Sequence, residues 1–290
     1  MKITANKDGN ILSILEEQFG AASRTRIRKM IEHKMVSVDA IAVYRADHMV
    51  KTGQTIEYMR VRGQDKQFSP PVPVLFEDPH LLVVEKPAGL VTYGERGAGG
   101  TSLYKKLLTY LRIRTNSRMG LYVVHRLDRE VSGIVIFAKS AKVQEQLKAG
   151  WRNTQKYYYA LVEGGPEEET GTIRSILKEG PDHKVYSVKA KESGKMAVTH
   201  YWIVRRLQNH TLLKIRLETG RKNQIRVHLS EMGCPVVGDR RYGANDAVVR
   251  RIRLHGFRIA FKHPVSGALL EFESPMPAGF LHLKDKDEKY

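Results

Sequence analysis

The sequence predicts an α+β protein in which a mixed, mainly antiparallel β-sheet domain follows a small N-terminal α/β module. Three observations predict it. Short apolar, β-rich runs at residues 81–84, 134–138, 157–162, 196–204, 212–217 and 269–272 far outnumber the helical patterns. No regular helix separates each pair of runs, as a doubly wound parallel sheet would require. A stretch rich in Arg, Gly, Gln, Lys, Ser and Pro, VRGQDKQFSPPVP at residues 61–73, reads as a linker between a unit at 1–60 and a larger one at 74–290.

In the first unit, Asn10 precedes Ile11, Leu12, Ile14 and Leu15, the spacing of a short amphipathic helix. Ser23 can cap a second helix that runs through Lys34. Ile27, Met30 and Ile31 share one of its faces, while Arg24, Arg28 and Lys29 look elsewhere. Short β segments follow at 36–38, 41–43 and 55–58, separated by the turn formers Asp39 and Gly53. A helical cap with a solvated basic face would produce the same pattern. In the larger unit, helices are expected at 102–112, at 141–151 behind a Ser140 cap, and at 223–232. The chain has no repeat of fixed period and no long low-complexity segment.

Composition excludes several classes. With 41% hydrophobic and 28% charged residues the chain can bury an ordinary core, and no run approaches the roughly 18 apolar residues of a membrane span. The opening MKITANKDGNILSILEEQFG is polar where a signal peptide has its apolar region, so a cytoplasmic protein is expected. One cysteine, Cys234, permits neither an internal disulfide nor a multi-cysteine metal site, and it reads as a small buried hydrophobe. The charge is the positive clue: 49 Lys+Arg against 31 Asp+Glu gives +18, a field that attracts polyanions. It is clustered, with ten Lys/Arg and three acids from 221 to 262, and five Lys/Arg and one acid from 24 to 34. Nucleic acid is the usual partner of such patches, although an anionic membrane surface or a merely solubilising charge also fits composition alone.

The stretch GERGAGGT at residues 94–101 invites comparison with a phosphate-binding loop but lacks the lysine that reaches the terminal phosphates. Zinc-dependent base deamination needs more cysteines than this chain has, and the eleven histidines never adopt HExxH spacing. No metal and no cofactor are expected.

The segment VVHRLDREVSGIVIFAKS, residues 123–140, places the polar tetrad His125-Arg126-Leu127-Asp128 between a short apolar pair and a buried-strand run. Ser132-Gly133 supplies a tight turn that could hold the loop against the sheet. On residue types alone, Arg126 and Asp128 fit a structural turn with surface ions as well as an active site.

HRLDREVSG, residues 125–133, resembles the HRLDxxTSG signature of the RluA family of RNA pseudouridine synthases and departs from it only at Val131. EKPAGL (85–90), KYYYALVEG (156–164), TGRKNQIRVHL (219–229) and GDRRYG (238–243), with HPVSG (263–267) after them, agree in the family's order, which argues against coincidence. The related RsuA family usually has glycine where His125 stands, which favours the RluA branch. Asn223 is a second departure, since many members have histidine there.

The resemblance implies the pseudouridine synthase fold and an isomerase that needs no cofactor, which accords with the missing nucleotide, redox and metal signatures. It makes Asp128 the catalytic carboxylate, acting as a nucleophile or as an electrostatic partner of a separated sugar. Arg226 corresponds to the guanidinium that keeps such a carboxylate charged, and Tyr158 to the tyrosine that stacks on uracil or assists proton transfer. Arg226 as a plain phosphate-binding helix residue is the competing reading. Tyr157 and Tyr159 should point to the opposite face of their strand. By the same resemblance Arg126 fills the space of a flipped-out uridine. The order helix, basic helix, hairpin at 24–58 resembles the RNA-binding fold of ribosomal protein S-four, which implies RNA contacts from Arg24, Arg26, Arg28 and Lys29. Arg221, which opens the second basic cluster, is assigned to RNA as well.

Structured RNA is thus the expected partner, ribosomal RNA ahead of transfer RNA, with no membrane. A noncatalytic RNA-binding assembly factor that retains the fold is the alternative, although intact Asp128, Tyr158 and Arg226 argue against it.

Overall fold

The computed structural model describes residues 2–19, 24–32, 36–58, 69–94, 101–115, 120–189, 192–245 and 251–282. The chain divides into two compact units, Met1–Ser69 and Pro70–Tyr290.

The first unit contains β1 (Lys2–Thr4), β2 (Gly9–Asn10), α1 (Ile11–Phe19), α2 (Arg24–Glu32), β3 (Val36–Val38), β4 (Ile41–Val43), β5 (Met49–Val50) and β6 (Thr55–Tyr58). α1 begins where the pattern placed it, because the Asn10 Oδ1 accepts the otherwise orphaned Ser13 N–H at 2.8 Å. Ile11, Leu15, Ile27, Ile31 and Ile56 are fully buried between the two helices and an antiparallel sheet of order β1-β6-β3-β4. The strands β1, β2 and β5 were not expected, since two or three residues are too few to show a period. Ser23, Lys34 and the side chains of Arg26 and Lys29 lie outside the described residues. Arg24 pairs with Glu16 at 3.1 Å and Arg28 is exposed.

The second unit comprises β7 (Val74–Glu77), β8 (Leu81–Lys86), α3 (Leu103–Thr115), β9 (Tyr122–Val123), β10 (Ser132–Ala138), α4 (Ala141–Ala149), β11 (Gln155–Glu163), β12 (Thr170–Glu179), β13 (Val185–Val188), β14 (Lys195–Arg206), β15 (His210–Leu217), α5 (Gln224–Glu231), β16 (Leu254–Lys262) and β17 (Leu269–Glu273). Its sheet runs β13-β12-β14-β15-β11-β16-β10-β8-β7, with β17 on β16 and β9 on β10. Among the described pairings in this sheet only β10 with β16 is parallel, so the sheet is mixed and mainly antiparallel as predicted. Val72, inside the stretch read as linker, is buried in this unit's core beside Leu82 and Val84. Ser140 caps α4 by accepting from the Val143 N–H at 3.3 Å. Of the 94–101 loop, 95–100 lie outside the described residues. Among the described residues no helix is long and apolar enough to cross a membrane.

At the centre of the sheet, the parallel partners Gly133 and Gly256 come so close that a Cβ on Gly133 would stand 2.3 Å from the Gly256 carbonyl oxygen. Gly133 also has φ +134°, a region that side chains rarely adopt. A Cβ on Gly256 would in turn meet the Tyr158 ring at 3.1 Å, so Gly256 forms the floor under that tyrosine and Gly133 backs Gly256. One residue on, β11 and β16 slip register between Tyr157 and Tyr158, a bulge that re-aims side chains. Gly133→Ala should therefore destabilise the protein by about 3 kcal/mol, combining overpacking and backbone strain. Chemical denaturation measures it, and an unchanged midpoint would refute the close-approach argument.

Candidate active site

Asp128 occupies the loop between β9 and β10, which several hydrogen bonds hold against residues 86–92. Thr92 is buried; its hydroxyl donates to the Leu127 carbonyl at 2.8 Å and accepts the Leu127 N–H at 3.2 Å. The Gly89 N–H donates to the Arg129 carbonyl at 2.8 Å. Lys86 is wholly buried, and its Nζ donates to the carbonyls of Leu90 at 2.8 Å, Pro87 at 3.1 Å and Arg129 at 3.3 Å. Burial pushes the Lys86 ammonium down to about 8, against the opposing charges of Asp128 and Glu130. The loop carrying the carboxylate is thus fixed on both sides of residue 128.

His125 anchors the start of that loop. Its Nε2 accepts the Ile136 N–H at 3.1 Å, and its ring lies against Trp151 with centroids 4.7 Å apart. Burial, with the Lys156 charge adding to it, pushes the imidazole from an ordinary 6.5 down to about 3. Between those two values the unfolded chain binds a proton that the folded one refuses, so stability is present above pH 6.5 and is lost as pH falls toward 3. Buried His228 and His255 are shifted downward too, each by burial first. The melting temperature should fall between about pH 7 and pH 5, and less so in His125→Gln, whose amide oxygen still accepts the Ile136 N–H. Equal slopes in the two proteins would show that His125 does not titrate on unfolding.

Arg226 is on α5, whose first residue follows Asn223 in the left-handed conformation at φ 52°. Its Nη1 donates to Asp128 Oδ2 at 3.1 Å and to Asn223 Oδ1 at 3.2 Å. Its Nε and Nη2 form a bidentate pair with Asp239, at 2.6 and 2.8 Å. The Tyr242 ring centroid lies 4.9 Å from the guanidinium carbon, and its hydroxyl accepts from Asn223 Nδ2 at 3.0 Å and from the Val185 N–H at 3.1 Å. The Asn223 side chain therefore ties Arg226 to Tyr242. Side-chain exposure grades along the trio, from 36% for Asp128 through 9% for Arg226 to 1% for Asp239. Burial opposes the Arg226 charge, but Asp239 and then Asp128 outweigh it and hold the guanidinium above its ordinary range.

Tyr158 projects from β11 toward the main core, and Tyr159 lies on the other face, stacked on Phe257 at 3.9 Å. Burial pushes the Tyr158 phenol well above its ordinary range, and the Asp128 charge adds to the shift. That electrostatic coupling places the phenol in the field of the same carboxylate. Arg126 is exposed beside Asp128 in the chain. Arg221 is exposed and gives its Nε to the Met196 carbonyl at 3.0 Å.

The structure thus brings Asp128 and Arg226 together, with the Tyr158 phenol in the field of the same carboxylate, and Arg24, Arg28 and Arg221 are exposed. Lys86, Thr92, Asp239 and Tyr242 were not singled out from sequence, although three of them stand in or next to the recognised segments EKPAGL and GDRRYG. A charged residue beside a proline or glycine within such a segment was the available signal.

Comparison with known proteins assigns the class. The family pattern described as RNA pseudouridylate synthase matches residues 80–231, which contain Asp128, Tyr158 and Arg226. A protein of Nitrosomonas europaea named ribosomal large subunit pseudouridine synthase D is 36% identical over 88% of this chain and 77% of its own length. A protein of the same name from Haemophilus ducreyi is 31% identical over 98% of this chain and 94% of its own. The structure of human RNA pseudouridylate synthase domain containing 4 shares the fold, with a TM-score of 0.61 over 72% of this chain and 90% of that one at 23% identity. The chain belongs to the RNA pseudouridine synthases, in their RluA family, and is an RNA isomerase.

Proposed function

We propose that this enzyme isomerises uridines of ribosomal RNA, that Asp128 is its catalytic carboxylate, and that no cofactor takes part. The observation that carries the reading is the half-exposed Asp128 carboxylate held at 3.1 Å by a buried guanidinium. In the reaction the bond from N1 of uracil to C1′ breaks, the base turns, C5 joins C1′, the proton on C5 leaves and N1 takes up a proton. Every heavy atom of the nucleotide is retained and no electron is exchanged. A carboxylate can serve such a sequence by bonding to the sugar or the base, or by facing the positive charge of a detached sugar.

Tyr158 stays protonated at neutral pH, so its parts in this scheme are to stack on the uracil and to offer a hydrogen bond. Arg126, exposed next to Asp128, is suited to enter the stack that the flipped uridine leaves. The net charge of +18 would draw an RNA polyanion, with Arg24, Arg28 and Arg221 exposed to meet phosphates and Arg26 and Lys29 assigned to the same task. Ribosomal RNA is preferred because the bacterial relatives carry that substrate in their names. The cytoplasm, where ribosomal RNA resides in such organisms, is the proposed site of action.

Incubation with ribosomal and transfer RNA transcripts, followed by chemical labelling of pseudouridine, tests this. Conversion confined to defined positions of ribosomal RNA is expected. Conversion in transfer RNA alone would overturn the substrate, and none in either from folded protein would point to the assembly factor.

A further inference from the structure

We propose that Asp239 is a positioning residue for the isomerisation: it locks the Arg226 guanidinium so that one N–H edge is left aimed at Asp128. The proposal rests on the reading of Asp128 as the catalytic carboxylate and goes beyond it in assigning a task to a residue that no substrate can reach.

The geometry has three parts. Asp239 is buried to 1% exposure and takes two of the guanidinium's edges at 2.6 and 2.8 Å, a planar fork that fixes the group's orientation rather than merely its location. Asn223 and the Tyr242 ring close two further sides, at 3.2 Å from Nη1 and 4.9 Å from the guanidinium carbon. The remaining direction of Nη1 points to Asp128 Oδ2 at 3.1 Å.

Charge bookkeeping supports the same conclusion. Asp239 already balances Arg226, and the trio Asp128, Arg226 and Asp239 carries one net negative charge. What Arg226 gives to Asp128 is therefore a directed N–H and not a surplus of positive charge. Asp239 itself is held in place from both directions of the chain, its N–H donating to the Val236 carbonyl at 2.9 Å and its carbonyl accepting the Ala244 N–H at 3.1 Å.

Asp239→Asn separates aim from fold. Asparagine has the same shape, but one of its two polar atoms is a donor that faces the guanidinium donors, so the fork opens and Nη1 can leave Asp128. The single-turnover rate at saturating ribosomal RNA should fall about 100-fold, the cost of a roughly 1 Å misplacement, while the Kd for the same RNA stays within about threefold. Asp239→Glu guards against a folding failure of the asparagine protein. It keeps the buried charge pair but shifts the carboxylate by one methylene, and it should show the same loss of rate at unchanged Kd. A wild-type rate in either folded variant would overturn the proposal, and so would a loss of rate that merely follows a loss of RNA affinity. Asp128→Asn is measured alongside. If it is inactive while the Asp239 variants are fully active, only the positioning role falls; if it is active, the reading of the site and the positioning role fall together.

Discussion

Asp128→Asn is expected to abolish detectable turnover, a loss of about 10⁴-fold or more, while RNA affinity and melting temperature stay close to those of the native protein. The separation of effects comes from where the carboxylate stands. Its side chain is 36% exposed, so replacing it by a neutral isostere leaves no unpaired charge in the core. Arg226 keeps its bidentate partner Asp239, and the new amide oxygen can still accept from Nη1. The stability change should thus remain within about 1 kcal/mol, as for other partly exposed pairs. The chemistry has no such reserve. An amide neither attacks carbon at a useful rate nor balances the charge of a detached sugar, so both candidate roles of Asp128 disappear together. Pseudouridine formed per enzyme in a single turnover, with RNA binding measured on the same preparation, checks it. Residual activity above about 1% of the native rate would remove Asp128 from the chemistry.

How much of this could be read from the chain depends on the range over which each feature is determined. The α1 and α4 starts were legible because Asn10 and Ser140 act three residues away. Strands β8, β10 and β11 were legible because their apolar runs are nearly continuous, and β14 and β15 because apolar residues still dominate them. The central strand β16 was not, for LHGFRIAFK interrupts its apolar residues with His255, Gly256 and Arg258. Each interruption has a long-range reason that no local pattern carries. His255 bonds to Ser132 and Ser274, at 2.9 and 3.2 Å, Gly256 admits Gly133 and the Tyr158 ring, and Arg258 pairs with Glu271 on β17. Strand β12 was missed for a different reason: near the edge of the sheet much of it alternates half-buried and exposed residues, so polar and charged residues dilute the period, and β13, four residues long, is too short to show one.

The site divides in the same way. Asp128, Tyr158 and Arg226 emerged because the family motif marks them. Asp239 was inside a recognised segment but without a task, because its partner is 13 residues away and the motif says nothing about which way a side chain turns. Lys86 is the sharper case. A lysine between Glu85 and Pro87 reads as a solvated charge, yet three backbone carbonyls converge on its Nζ and bury it. Such a convergence arises only when residues 86–90 and Arg129 fold against each other.

Arg226→Ala should have the second large effect, and here stability and catalysis fall together. Removing the guanidinium leaves the Asp239 carboxyl 1% exposed and without its counter-charge, which costs about 3–5 kcal/mol. Asp128 also loses its hydrogen bond, and the Tyr242 ring loses the cation above it. The two consequences can be parted by a second substitution. In Arg226→Ala/Asp239→Asn the buried charge is gone, so the melting temperature should recover much of its loss, whereas the single-turnover rate should remain at least about 100-fold below native because Asp128 still has no guanidinium. Recovery of the rate along with the melting temperature would mean that Arg226 serves the fold alone, and that Asp128 works without it. A melting temperature that fails to recover would mean that the cavity left by the arginine, rather than the stranded carboxylate, dominates the cost. The ion pair would then matter less to folding than its burial implies, and the aimed N–H would be left as the physical reason for placing an arginine at residue 226.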